Sequence, residues 1–514
     1  MVLALGAAGA WTAEPALLSD PAAINKALES AKAGDTIVIR NGLYVDAQIV
    51  LPASGEKDKP VTLAAETPGK VYFTGKSKIT LAGKHQHVTG FVFQKAIGGT
   101  AVEFKDAQHC RLSHTAFNES GNPQSTFTHM IEVGENCSDN RIDHCYMGKS
   151  LSMSIGTRIG AVRGRIDHNW FRDIVARSRN GQEAIQLQGY RLTPGTGAPI
   201  KEGDHRLFCT VENNLFDGAC GDEEIISVKS DDNTIRYNTF LGHPTANKGG
   251  LVIRGGDRNV IDSNYFLGTV HGIRVSGSGN KLVNNYIQPV KTGLLLTGGG
   301  NMYAVAKDIL VANNTIVCRK PPAVSFAAMW GLTHPSAPPV PSVYPTGCKF
   351  YNNIFVCGYP QLLTDAAGKN FEGVDFKNNL IACNNPKKAD ASAMPKAPGL
   401  LHADEGLLVL QDGRYHPAIE HLVVDQGVPV EGMTTDIDGR ARKNAPDIGC
   451  EELNAGNGIR RPLTGKDVGP DWMKGNADAL EQEAGVQDLR ELIRKHPDPE
   501  YRRRLREILD GAGQ

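Results

Sequence analysis

One short phrase, apolar-x-x-Asn-x-aromatic or aliphatic, recurs along this chain from about residue 87 and sets narrow limits on its fold. It reads Ile166-Asp167-His168-Asn169-Trp170-Phe171, then Val211-Glu212-Asn213-Asn214-Leu215-Phe216, then Ile235-Arg236-Tyr237-Asn238-Thr239-Phe240. Further copies are centred on Asn264, Asn285, Asn314, Asn353 and Asn379, with degenerate forms around Cys145 and Thr115. From Asn214 through Asn238 and Asn264 to Asn285 the steps are 24, 26 and 21 residues. A period of that size, with short strand-like runs and no helical stretches, is the mark of a solenoid. Asparagine at one register suits a turn that tolerates left-handed backbone, and stacked copies would form an amide ladder. The expected fold is all-β: a single-stranded right-handed parallel β-helix. The Leu-x-x-Leu-x-Leu pattern of a leucine-rich repeat is absent.

The ends read differently from the middle. Residues 1–19 begin with an apolar, Ala-rich run that lacks a basic leader, a signal-peptide-like or disordered start that points to a secreted or periplasmic protein. Asp20-Pro21 opens a short helix, Asp20 as N-cap and Pro21 as first helical residue, placed to plug the first coil. The β-helix is expected over 20–455. A Gly/Pro-rich linker and a tail of two charged helices, broken at Pro497-Asp498-Pro499, fill 456–514. The tail reads as a packing element or a dimerisation surface, for a monomer or weak homodimer. No run reaches membrane-spanning length. A net charge of -1 gives no bulk attraction for nucleic acid, so an anionic ligand requires a local basic groove. The ten cysteines form no CxxC pair and read as buried thiols.

The densest chemistry lies in Gly221-Asp222-Glu223-Glu224-Ile225-Ile226-Ser227-Val228-Lys229-Ser230. Strand alternation over 224–229 would put Glu224, Ile226 and Val228 on one face and Ile225, Ser227 and Lys229 on the other. Aligning consecutive coils sets Gln188, Lys229, Arg254 and Ser276 in one column, with Glu183 below Glu224 and Arg274 nearby. Stacked cations repel unless an anion lies between them, so this column argues for an anionic ligand. Asn180, Asp222 and Glu224 offer hard oxygen ligands suited to Ca2+, against the plain alternative of a turn full of solvated acids. His271 is a subsite contact or an ordinary turn histidine. A hydrolase enlisting Asp222, Asp231 and Asp232, or a non-catalytic carbohydrate-binding β-helix, would leave the Lys229–Arg254 column without a role.

The phrases Asn180-Gly181-Gln182-Glu183-Ala184-Ile185, Asp222-Glu223-Glu224-Ile225-Ile226-Ser227-Val228-Lys229-Ser230 and Leu251-Val252-Ile253-Arg254-Gly255 resemble polysaccharide lyase family 6, the β-helical alginate lyases and chondroitinase B. The resemblance spans about residues 20–450. It implies a calcium ion held by Asn180, Asp222 and Glu224 against a uronate carboxylate, with Lys229 as base and Arg254 as acid. Glu183, Gln188, His271 and Arg274 on the same aligned coils are the expected substrate contacts; the resemblance favours alginate as the substrate, with dermatan sulfate as the alternative. Three departures stand out: Asp222 replaces the usual Glu, Gly255 replaces a common His, and extra residues surround Pro194 and Pro244.

Overall fold

The computed structural model describes residues 17–480 apart from 189–190, 193–198, 201–204, 299–303, 329–343 and positions 386, 388, 389, 391, 404, 405 and 474; beyond 480 it describes 494, 499, 502 and 503. Each coil gives one strand to each of three parallel sheets, of 14, 14 and 13 strands. The chain is the expected right-handed parallel β-helix. The helix Pro21–Glu29 starts where the sequence places it, with the Asp20 carboxylate accepting from Ala23 N at 2.9 Å. Its Ile24 and Leu28 are buried and cover the first coil, whose apolar end would otherwise face water.

Inward-pointing side chains stack on their equivalents one coil away. Phe171, Phe216, Phe240 and Phe266 form one such column, with ring centroids 4.8, 4.6 and 4.4 Å apart and planes within 9° of parallel. Truncating the buried Phe240 opens a cavity that neighbours on fixed rungs cannot close. Phe240→Ala is therefore expected to cost about 3–5 kcal/mol, read as a lowered urea midpoint.

The amide ladder is present, and its reason differs from the one the sequence suggested. Asn214, Asn238 and Asn264 each donate Nδ2 to the Oδ1 of the next Asn at 3.0 Å. Each Oδ1 also takes a backbone N–H from the coil before, as Asn238 does from Asn214 N at 3.0 Å. Left-handed backbone belongs to the residue just ahead of each ladder Asn: Asn213, Tyr237, Ser263 and Asn284 have φ of 54, 57, 54 and 55°. The ladder Asn is selected for bonding capacity, in a corner where buried peptide groups have no water. A second ladder, Asn233–Asn259–Asn280, lines another corner.

The C-terminal segment returns along the outside. Val468, Met473, Ala477 and Leu480 pack on Tyr72, Val92, Ala116, Tyr146, Trp170 and Leu215. The N-terminal run 1–16 and nearly all of the two expected C-terminal helices fall outside the described residues. All ten cysteines are free and buried. Among the described residues no helix is long and apolar enough to cross a membrane.

Candidate active site

The 13-stranded sheet turns its outer face to the residues of interest. Strand Ile185–Gln188 pairs with Ile226–Lys229 so that Gln188 lies opposite Lys229. That strand pairs with Leu251–Arg254 through Val228 and Ile253, and Arg254 lies opposite Ser276 on the next. The column expected from coil alignment is therefore present, with adjacent rungs about 4.8 Å apart. A parallel row carries Gln186, Ser227, Val252 and Arg274.

Glu224 departs from the alternation expected of it. The strand starts at Ile226, and Ile225 and Ile226 both enter the core because the chain is still rounding a corner. Glu224 is thereby turned toward the outer row, where Ser227 Oγ donates to its Oε2 and Arg274 Nη2 to its Oε1 at 2.8 Å. Arg254 Nη1 stands 3.7 Å from the same Oε1. Part of the charge on the arginine pair is thus balanced from within the protein, where the sequence argument had required a ligand. Burial alone would push the Glu224 carboxyl up, but Arg254, Arg274, Lys229 and the Ser227 hydroxyl outweigh it and hold it ionised.

Lys229 is pushed below the ordinary lysine range by burial, with Arg254 adding to the effect and Glu224, Glu183 and Asp222 opposing it. The Glu183 side chain, 3% exposed, accepts from Gln186 Nε2 at 3.3 Å, and among the described residues its Oε2 has no hydrogen-bond partner. Burial lifts its carboxyl to about 7, Lys229 opposing and Glu224 and Asp222 adding. Gln186 in turn meets the buried His129 at 3.2 Å.

Asp222 is buried, with Oδ2 taking Gly181 N at 2.8 Å and Oδ1 taking Glu223 N at 2.6 Å. Lys248, which coil alignment did not single out, lies 3.9 Å from Asp222 Oδ1 and fastens the preceding loop through Arg179 O at 2.6 Å. Asn180 is exposed in that loop, its carbonyl accepting from Thr126 Oγ1 at 2.9 Å. Next to Glu223 stands His271, Nε2 to Oε2 3.9 Å, its imidazole lowered to about 4 by burial and by Lys291 and Arg274. It is therefore neutral at physiological pH. His271 and Arg274 share a small cavity floored by Val252 and Leu295.

The donor set fits a hard divalent cation. Glu224 and Asp222 add to the raised proton affinity of buried Glu183, and Glu224 to that of Asp222; among the described residues one carboxylate oxygen is buried without a partner, and an amide side chain stands one residue from the Asp222 contact. The three carboxylates are not tightly gathered: among the described residues, the one trio of His, Cys, Asp or Glu ligand atoms within 4.8 Å is Asp425, Asp447 and Glu452. That trio is filled by its own chain, with Arg442 and Lys443 paired to Glu452 and Asp425.

The coil architecture and the outward row of lysine, arginines and carboxylates have the arrangement expected from the resemblance to β-helical polysaccharide lyases. The chondroitinase B family model matches residues 19–420, and the chain belongs to that family, within polysaccharide lyase family 6. Among solved structures it is similar to the family 6 alginate lyase AlyGC at 26% identity and a TM-score of 0.67, covering 89% of this chain and 58% of that one. The chain thus spans little more than half the length of that relative. A family 6 polysaccharide lyase from Pseudopedobacter saltans is similar in fold at 23% identity, TM-score 0.60, over 89% of this chain and 99% of that one. So is a mannuronic acid specific family 6 lyase from human gut microbiota, at 24% identity and TM-score 0.61, over 77% and 90%. No curated protein matches the sequence.

Proposed function

We propose that this protein is a secreted or periplasmic lyase that cleaves a 4-linked uronate polysaccharide, alginate foremost, by β-elimination. The observation that carries the reading is Lys229, a half-buried lysine held below its ordinary range, one rung from Arg254. Neutral Lys229 takes the C5 proton of the uronate as general base. Arg254, its guanidinium anchored toward Glu224, stabilises charge on the departing O4 and orients it; outright proton donation is the harder task for so strong a base. Arg274 and neutral His271 bind the neighbouring sugar over the Val252–Leu295 floor, and Gln188 and Glu183 border the rung below. Asn180, Asp222 and Glu224 would hold calcium, with Glu183 beside them. When bound, the ion would neutralise the uronate carboxylate and so acidify the C5 proton.

A hydrolase is disfavoured because Asp231 and Asp232 are committed to Arg258, at 3.2 and 2.8 Å. Dermatan sulfate remains the second substrate to try, since the matching family model is that of chondroitinase B. Incubation with alginate should give a steady rise in near-UV absorbance from unsaturated uronate, and dermatan sulfate a slower one. Reducing ends appearing without that absorbance would mean hydrolysis.

A further inference from the structure

The corner that carries the Asn214–Asn379 ladder is sealed by the returning C-terminal segment along most of its length. His114 and His168 accept through their carbonyls from Trp472 Nε1 and Gly469 N, each at 2.8 Å. Further on, Asn284, Asn313, Asn352 and Asn378 donate to the carbonyls of Thr435, Asp447, Val428 and Gln426 at 3.0, 2.9, 2.7 and 2.6 Å. Between these two runs the segment is held more loosely, Leu463 N donating to Thr239 Oγ1 at 2.8 Å. Asn213, Tyr237 and Ser263 occupy the same corner position on three successive coils, and among the described residues their side chains make no hydrogen bond to that segment. A cavity of about 200 Å³ lies between these three residues and this part of the segment, with Arg460 reaching across it to the Tyr237 ring.

The opening is held by structure on both sides. Arg460 lies 4.2 Å from the Tyr237 ring centroid and is fixed by the carbonyls of Ile437 and Asp436 at 3.0 and 2.8 Å. Arg461 is clamped to Asp467 through two bonds of 2.9 and 2.7 Å. Two guanidiniums therefore face one carboxylate, leaving a positive rim. Ile459 forms an apolar lip, 83% exposed. Amide and hydroxyl groups repeat at the rung pitch over about 10 Å, the reach of a short saccharide. Polar groups at regular spacing, apolar patches and a net positive rim are the lining an acidic sugar requires.

We propose that this cavity is a second saccharide site, on the corner opposite the candidate active face, which binds one or two acidic sugar residues of the polymer. The acidic character of its ligand rests on the function proposed above. Such a site keeps a long chain attached between cleavages, raising the local concentration of uncut bonds, and offers nothing to a fragment too short to reach both places.

Calorimetric titration of the Lys229→Ala protein with a hexamer of 4-linked mannuronate tests it without turnover. Two binding events are expected, falling to one in Lys229→Ala/Asn213→Asp, because an added carboxylate repels the ligand while Asp tolerates the left-handed backbone. Asn213→Gly, which takes that φ freely, serves if the Asp variant unfolds at lower temperature. In the otherwise native enzyme, Asn213→Asp should raise KM for polymer about fivefold and leave kcat, and KM for a trisaccharide, unchanged. A single event in both proteins, survival of the second event in the Asp variant, or equal binding of a neutral cello-hexamer would overturn the proposal. Absence of unsaturated product from the unmodified enzyme would instead overturn the lyase reading, with the binding result still decisive for the cavity.

Discussion

Lys229→Ala should abolish all but a trace of activity, with kcat on alginate falling about 10³-fold, the range a well-placed general base contributes. The thermal midpoint should hold, because among the described residues Lys229 makes no ion pair, Glu224 keeps Arg254 and Arg274, and Glu183, whose charge Lys229 favours, can take up a proton instead. The pH profile of the unmodified enzyme carries the same message. Burial and Arg254 lower the lysine's proton affinity, so the active neutral form gains as pH rises through that depressed value. Activity should climb toward the alkaline side and level off below the ordinary lysine range. Full activity in Lys229→Ala would remove the mechanism.

Loss of the divalent cation should be nearly as severe. Chelation is expected to lower kcat about 10²-fold or more, with recovery on adding calcium, since the uronate carboxylate then keeps its charge and the C5 proton its weak acidity. Glu224→Gln should be insensitive to added calcium, because it removes a ligand and also the anchor of two arginines. Arg274 would lose its 2.8 Å ion pair and Arg254 its 3.7 Å neighbour, in a setting where an unpaired buried charge costs about 3–5 kcal/mol. Its thermal midpoint should therefore drop, unlike that of Lys229→Ala. Unchanged activity after exhaustive chelation, with no calcium released, would argue that Asp222, Glu224 and Asn180 serve only to hold the arginines and the loop.

The β-helix was legible because its signal is periodic: an Asn that must satisfy a buried corner recurs once per coil whatever the chain does elsewhere. The Lys229–Arg254 column was legible for the same reason, since parallel pairing carries equivalent positions onto one another and coil alignment reproduces it. Glu224 was misplaced because alternation holds only inside a strand, and the corner ends at Ile225. Spacing gives no role to Ser227 or Lys248, because what they do depends on where a side chain folds: Ser227 Oγ turns back to Glu224, and Lys248 reaches Asp222 and the loop at Arg179. The left-handed position was assigned to the ladder Asn instead of its predecessor, which is His, Asn, Tyr or Ser in different coils and so leaves no single-letter trace. The seam and its cavity were illegible altogether, because they bring residues 213–263 against residues 459–467 through contacts that follow no repeat.

Vertical stacking has a consequence for how such a protein can change. Lys229 and Arg254 are neighbours because their coils are in register, so the contour length of chain between them is immaterial to the groove. Heredity can lengthen or trim a corner loop and leave the reacting face untouched, while a one-residue slip within a strand would turn the whole row inward. Selection on this face should therefore be written in pairs one coil apart, and a substitution at Gln186 or Val252 should be compensated at Ser227, between them, sooner than at any residue adjacent in the chain.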